Sequence, residues 1–302
     1  MRSLLKTIAV KEIRRVYPRI DTAKNKKALL ALFCGLLAPV ILYRRYVQFA
    51  LPYVEMVVTT RCTLRCVGCS NLMPCYDPGM AHSDMDIVKQ SIDGLLSVSR
   101  HIAEMKFIGG EPFMSPRLYE AVGYASQKKQ IKQITIITNG TIVPTGENLK
   151  CLRRKNITVH ISKYPAVNPA PLIKALKQNE IEYHLIAFET WQDYGNMDRR
   201  KMDVNTLKKS FEICPSAECK TVMDGRFYAC PREAHGRALG LVKGDNAEVA
   251  LTKTPPKQLR QDIRALYGAM YTPACDYCTP IWQRQEIECA EQLPSTNKGE
   301  KI

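Results

Sequence analysis

From residue 53 onward the chain alternates short apolar runs with longer amphipathic ones. Tyr53–Thr59, Glu104–Ile108, Ile134–Thr138, Ile157–Ser162 and Glu182–Ala187 are rich in aliphatic and β-branched residues and read as strands. Between them the apolar spacing predicts helices over 83–100, 116–128, 147–155 and 170–179. Ser83, with Asp86 three residues on, is an acidic variant of the capping box and is expected to open the first of these. Strands alternating with helices imply parallel βαβ units. Near-continuous apolar strands imply a sheet buried on both faces. The expected class is therefore α/β with a parallel sheet. The alternation stops near residue 190, and a boundary is expected between 190 and 210. No internal repeat is evident.

The first fifty residues differ in character. The chain has 302 residues, 44 Lys and Arg against 29 Asp and Glu, and a net charge of +15. Residues 1–48 hold 11 basic and two acidic residues (Glu12 and Asp21), so +9 of that surplus is N-terminal. Inside this region Ala28–Tyr43 is a run of 16 uncharged residues interrupted by Pro39. It is shorter than the roughly 20 residues a spanning helix needs. No secretory signal is read, because no small-residue cleavage site follows the run. An apolar stretch with basic flanks suits either a helix on the main domain or peripheral contact with an anionic membrane face. No nucleic-acid module or aromatic-interleaved basic ribbon appears, so no nucleic acid is expected. With 45% hydrophobic and 24% charged residues, the composition is globular.

Twelve cysteines carry the candidate chemistry. Cys62-Thr-Leu-Arg-Cys66-Val-Gly-Cys69 follows the first strand. In a barrel of parallel strands the C-terminal strand ends carry the active site. A closed zinc site takes four ligands, usually in two pairs. Three thiolates on a four-iron cube instead leave one iron open for an outside ligand. Gly109-Gly110-Glu111-Pro112 follows the second strand. Glycines admit close backbone approach, and a carboxylate pairs with an ammonium. Thr138-Asn139-Gly140 ends the third strand and Ser162 the fourth.

Taken in order, these motifs resemble the signature of the radical S-adenosylmethionine enzymes over residues 53–190. The resemblance implies a partial (β/α)6 TIM-like barrel over 51–205, with a [4Fe–4S] cluster on Cys62, Cys66 and Cys69. It also implies S-adenosylmethionine held by Gly109, Gly110, Glu111, Pro112, Thr138, Asn139 and Ser162. The implied chemistry is one-electron cleavage of the sulfonium and hydrogen abstraction by a 5′-deoxyadenosyl radical. One residue departs from the family pattern. The position before the third cysteine is often aromatic, and here it is Gly68, so altered packing is expected there.

Six more cysteines follow the boundary. Cys214, Gly225, Cys230, then Cys275-x2-Cys278 resemble the auxiliary-cluster module called Twitch, a shortened relative of the SPASM domain, placed at 206–290. That implies a second [4Fe–4S] cluster on Cys214, Cys230, Cys275 and Cys278, with Cys219 an alternate to Cys214. A structural zinc satisfies the same thiolates. Met223-Asp224-Gly225-Arg226 is read as the hairpin turn and Gln258–Tyr267 as the helix of this module. Cys75 is a candidate hydrogen-atom donor to a substrate radical, and Cys289 shares that reading. Cys34 and Cys151 read as small buried hydrophobes. Arg232, His235, Trp191 and Asp193 could line a substrate pocket. Residues 291–302 read as a solvated tail.

The cysteine usage points to a reducing cytosol. A basic face suits an acidic flavodoxin or ferredoxin as electron donor. The expected substrate is a nucleotide-linked or lipid-linked sugar that is epimerised, dehydrogenated or dehydrated. A peptide-modifying radical enzyme and a non-catalytic metal-binding scaffold are the alternatives.

Overall fold

The computed structural model describes residues 49–77, 82–244 and 248–293. The basic N-terminal extension and its apolar run therefore lie outside the described residues, as does Cys34. Among the described residues no helix is long and apolar enough to cross a membrane.

Five strands follow the expected order: β1 (Leu51–Thr59), β2 (Ile102–Gly109), β3 (Ile131–Thr138), β4 (Ile157–Lys163) and β5 (Tyr183–Ala187). They pair in parallel as β5-β4-β3-β2-β1. The crossovers are α1 (Met85–Val98), α2 (Leu118–Ser126), α3 (Glu147–Leu152) and α4 (Ala170–Gln178). The cap of α1 differs from the expected one. Asp84 is the N-cap, accepting from the amides of Asp86 and Ile87, while the Ser83 hydroxyl donates to the Val57 carbonyl at 2.9 Å. Ser83 thus serves β1, and the helix starts one residue later than its hydroxyl suggested.

After β5 come β6 (Thr190–Gln192), α5 (Val204–Glu212), β7 (Thr221–Met223), β8 (Arg226–Tyr228), α6 (Pro231–Ala238), β9 (Glu248–Ala250), α7 (Pro256–Gly268) and β10 (Glu286–Glu288). β7 pairs in parallel with β1 on the side away from β2, giving six parallel neighbours in a row. β7 and β8 form the expected hairpin. Its turn residues Asp224 and Gly225 both have positive φ, at 49° and 76°, as a tight two-residue turn requires. β6 leaves the main sheet and pairs with β10. β7, β8 and β9 extend the same sheet past residue 205.

The sheet's two faces are unlike in chemistry: one is apolar throughout, and the other is polar although Glu55, Thr135 and Thr158 on it are buried as expected. On one face the registers align Val54, Met105, Ile134 and Ile157, then Met56, Phe107, Ile136 and Val159. All eight are essentially inaccessible. This is the face the crossover helices cover, and burying it is the main source of stability. On the other face the rows read Tyr53, Glu104, Gln133 and Glu55, Lys106, Thr135, Thr158. Polar residues hidden in apolar-looking strands keep the period of two and share the face opposite the apolar rows.

Candidate active site

The loop after β1 carries the first three thiols. Cys66 is buried, and Cys62 and Cys69 are partly so. Cys62 and Cys69 pack against a cluster of Val57, Met73, Tyr76, Met223, Tyr228 and Ala234. Burial pushes Cys62 up to about 12, and Glu111 and the other two thiols act the same way. Burial likewise pushes Cys66 up to about 11, with Cys69 and Cys289 adding to it. The three thiols therefore feel one another in a pocket that disfavours thiolate unless a cation compensates. A metal centre does this, since its ligands bind deprotonated. Their surroundings fit a cluster: the Leu64 amide lies 3.5 Å from Cys62 Sγ, and the Gln292 amide group lies 3.3 Å from Cys66 Sγ. Cys289 does not stand as a fourth ligand, because its thiol donates to the Phe188 carbonyl at 2.9 Å.

Gly109 and Gly110 make the cluster loop fit. A Cβ at Gly109 would stand 2.2 Å from the Thr59 carbonyl oxygen. One at Gly110 would stand 2.2 Å from the Arg61 carbonyl oxygen and 2.8 Å from Cys62 Cβ. The close approach is to the cysteine loop itself. The Gly110 amide donates to Thr59 at 3.0 Å and the Glu111 amide to Arg61 at 2.8 Å.

Glu111 is fully buried. Its carboxylate accepts from the Thr138 hydroxyl at 2.8 and 2.9 Å, from the Asn139 amide at 2.8 Å and from the Phe113 amide at 3.0 Å. Burial raises its pKa to about 7 against the pull of those donors. The side chain thus ties the end of β2 to the end of β3. Pro112 starts the short turn that follows. Asn139 Nδ2 reaches Thr63 Oγ1 at 3.0 Å and Cys62 Sγ at 3.7 Å, joining the Thr-Asn-Gly loop to the cysteine loop. Gly140 takes φ of 80°. Ser162 is buried near the end of β4, beside Tyr164. The structure therefore gathers every residue expected of the first site at one end of the parallel strands. Cys75 is exposed and within electrostatic reach of Cys69 and Arg232. Cys151, on α3, donates to the carbonyl of Tyr119 in α2.

The second set also converges. Cys214, Cys230, Cys275 and Cys278 line one cavity, together with Tyr194, Arg232 and Arg284. Cys219 does not line it. That thiol lies against Tyr53 and Glu55, where burial and the carboxylate push it up to about 12. Cys214 rather than Cys219 thus joins the other three. Cys230 caps α6 and accepts from the Glu233 amide at 3.4 Å, and Cys275 accepts from the Thr272 amide at 3.4 Å. Among the described residues no three His, Cys, Asp or Glu side chains are arranged around a single metal ion. In a cube each thiolate binds a different iron.

Of the residues expected to line a substrate pocket, Arg232 and His235 lie on α6 and are buried. Arg232 donates to the Gly195 carbonyl at 3.0 Å and lies within electrostatic reach of both Cys69 and Cys278. His235 Nδ1 pairs with the Tyr76 hydroxyl at 2.8 Å, and among the described residues its Nε2 has no partner. Trp191 pairs with Ile287 across β6 and β10, and Asp193 accepts from the Gly195 amide at 2.7 Å within a turn.

Sequence reading missed the segment after β10. The Val67 amide donates to the Glu291 carbonyl at 2.8 Å and the Leu293 amide to the Arg65 carbonyl at 2.7 Å. Glu291–Leu293, expected to belong to a solvated tail, are instead paired with the cysteine loop, and the rest of that expected tail, residues 294–302, lies outside the described residues.

Comparison with known proteins agrees with this geometry. The family model of the radical SAM superfamily matches residues 56–225, more than half of the chain. The chain belongs to that superfamily, a family of enzymes, and the family implies a [4Fe–4S] cluster and S-adenosylmethionine. A GTP 3′,8-cyclase of Clostridium acetobutylicum is 33% identical over 37% of this chain and 35% of its own. A GTP 3′,8-cyclase of Trichormus variabilis is 23% identical over 72% of this chain and 65% of its own. The chain thus spans between about a third and two thirds of these relatives. The crystal structure of BtrN in complex with AdoMet and 2-DOIA superposes with a TM-score of 0.53 at 13% identity, covering 80% of this chain and 98% of that one. That is a likeness of fold.

Proposed function

We propose that this radical SAM enzyme acts at a C–H bond of a carbohydrate, nucleotide-linked or lipid-linked, and that it carries a second [4Fe–4S] cluster on Cys214, Cys230, Cys275 and Cys278. The observation that carries the substrate reading is the polar face of the sheet. It lies on the same side of the sheet as Val57, which packs against the cysteine loop. There Lys106 lies 4.2 Å over the Tyr53 ring, Thr135 donates to Glu104 at 2.6 Å, and Gln133 donates to Thr158 at 2.8 Å. His160 and His184 meet edge to face at 5.1 Å. Such alternating donors and acceptors suit a polyhydroxylated substrate better than an apolar one. The relatives' name, GTP 3′,8-cyclase, concerns a nucleotide, an anionic sugar-bearing compound of the same broad kind.

A [4Fe–4S] cluster held by Cys62, Cys66 and Cys69 would supply the one-electron chemistry that cleaves bound S-adenosylmethionine and so permits hydrogen abstraction from a substrate C–H bond. The protein's own part is positional. Gly109 and Gly110 let the cysteine loop seat on β2, and Glu111 locks the loops after β2 and β3 together. Asn139 holds the cysteine loop from the other side. Cys75 is the candidate donor of a returning hydrogen atom. An acidic flavodoxin or ferredoxin is the proposed electron source, and the basic N-terminal region the proposed membrane contact.

The test is anaerobic reconstitution, then S-adenosylmethionine and a reductant, with and without a panel of nucleotide sugars. We expect 5′-deoxyadenosine above a Cys66→Ala control, increasing with one sugar of the panel. No increase with any sugar, but an increase with a peptide, would overturn the carbohydrate reading. Iron analysis checks the second cluster: about eight irons per chain are expected, falling to about four in Cys278→Ala. Zinc in place of the second set of irons would refute it.

A further inference from the structure

The last described segment, Glu286–Leu293, returns to the first cysteine loop after the four-thiol cavity is complete. It is anchored at one end by β10, whose Glu286, Ile287 and Glu288 pair with Gln192, Trp191 and Thr190. At the other end Cys66 and Gln292 stand opposite each other in an antiparallel bridge, flanked by the Val67–Glu291 and Leu293–Arg65 hydrogen bonds. The pairing clamps the middle ligand of the three from the backbone outward.

The Gln292 side chain is fixed by what surrounds it. Its Oε1 accepts from the Arg65 amide at 2.8 Å, which only an oxygen can do. Its Nε2 must then face the other way, where it donates to the Ala290 carbonyl at 2.6 Å and to Cys66 Sγ at 3.3 Å. An amide has two such hydrogens, and both are spent. The amide orientation is therefore set by backbone groups on both strands, and a hydrogen is aimed at the sulfur.

A second observation points the same way. Gly68 takes φ of 63°, and a Cβ there would lie 2.3 Å from Ile287 Cδ1. The space that a side chain at residue 68 would occupy is filled by Ile287 from β10. The segment fits this loop at two places, one polar and one apolar.

We infer that Glu286–Leu293 is a strap that completes the reactive-cluster loop, with Gln292 a positioning residue that donates to Cys66 and thereby sets the reduction potential of the cluster. The physical reason is charge. Reduction adds an electron to the cluster and its thiolates, and an N–H aimed at sulfur stabilises the more negative state. Removing the donor disfavours reduction, and the electron needed by the sulfonium becomes harder to load. The inference rests on the family's cluster at Cys62, Cys66 and Cys69. It does not depend on the substrate or on the second set of thiols.

The experiment is a redox titration of full-length protein, reconstituted anaerobically and followed by electron paramagnetic resonance. The signal that changes on adding S-adenosylmethionine identifies the reactive cluster. Two variants separate the roles of the side chain. Gln292→Leu removes both the donor and the Arg65 anchor. Gln292→Glu keeps an acceptor for Arg65 but has no hydrogen for Cys66. We expect both to lower the potential, cutting the reduced fraction at a fixed potential about tenfold, which is about 59 mV for one electron. Iron content in Gln292→Glu should stay at the wild-type value. A wild-type potential in Gln292→Glu with full iron would overturn the donor role. If Gln292→Leu fails to hold iron, the neutral Gln292→Met, similar in length and without an N–H, decides in its place, because the carboxylate of Gln292→Glu lowers the potential by its charge alone. A protein showing no signal that responds to S-adenosylmethionine, wild type included, would instead sink the cluster reading on which the inference rests.

Discussion

The tightest steric constraint in the site is at Gly110, and it yields a sharp prediction. In Gly110→Ala the new methyl would sit 2.2 Å from the Arg61 carbonyl oxygen. Ordinary contact begins near 3.4 Å, so the two chains must part by about 1.2 Å. The neighbours are backbone and Cys62 Cβ, so no flexible side chain can yield. Overpacking of this kind costs about 1–3 kcal/mol. The Glu111 amide to Arg61 hydrogen bond stretches as well, worth about 1 kcal/mol. The sum is about 2–4 kcal/mol, or on the order of 10 °C in melting temperature for a unit of this size. The displacement falls on Cys62, so cluster loading should drop with stability. Gly123 is the control. It lies inside α2, and a Cβ there meets nothing within 4 Å. Gly123→Ala should stabilise by about 0.5–1 kcal/mol. The assay is anaerobic melting and iron content after reconstitution, for both variants and wild type. A Gly110→Ala protein that loads full iron and melts with the wild type would refute the packing argument.

Other outcomes follow from the same geometry. Glu111→Ala strands three buried donors, each worth about 1–3 kcal/mol when orphaned. It should destabilise by more than Thr138→Val in denaturant unfolding, and equal effects would count against the bracing role. His235 is neutral, its pKa lowered to about 3 by burial, whereas an unfolded imidazole titrates near 6.5. A depressed pKa contributes stability that is complete above the unfolded value and lost as pH falls below it. The loss is about 2 kcal/mol at pH 5. Urea unfolding at pH 7 and pH 5 should show that loss in the wild type and not in His235→Phe. The same loss in both proteins would refute it.

The parts of this fold that were legible beforehand are those specified locally. Five strands and four helices came from periodicity, because burying one helix-covered face demands apolar residues at fixed spacing. The thiols of the first site were legible because eight consecutive residues hold all three. The Asp224-Gly225 turn was legible because positive φ at both positions favours those residue types. The polar character of the second face was not legible, because Glu104, Lys106, Gln133 and Thr135 are interspersed among Ile, Phe and Met in short runs. There the period-two signal is carried by only two or three residues per strand. Ser83 was misread as a cap because Asp84, one residue on, offers the same chemistry.

The strap and the pairing of β7 with β1 were not legible, and the reason is physical. Gln292 and Cys66 are 226 residues apart in sequence, and a three-residue strand such as β10 has no periodicity to detect. One trace did exist. Gly68 stands where a side chain is usual, in a backbone conformation that favours glycine. A missing side chain beside a reactive centre leaves either a hole or a place for another part of the chain. Close packing of protein interiors disfavours the hole, so the departure implied a distant segment seated on the loop. Ile287 is that segment's contribution. A glycine substituted for a bulky residue beside a metal-binding loop is therefore a pointer to a long-range contact, and Gly68→Ala tests it. Alone it should be destabilising through both the left-handed φ and the overlap with Ile287. Combined with Ile287→Ala it should lose only the overlap part of the cost. A double variant no more stable than the sum of the two singles would show that the strap does not occupy this space in solution.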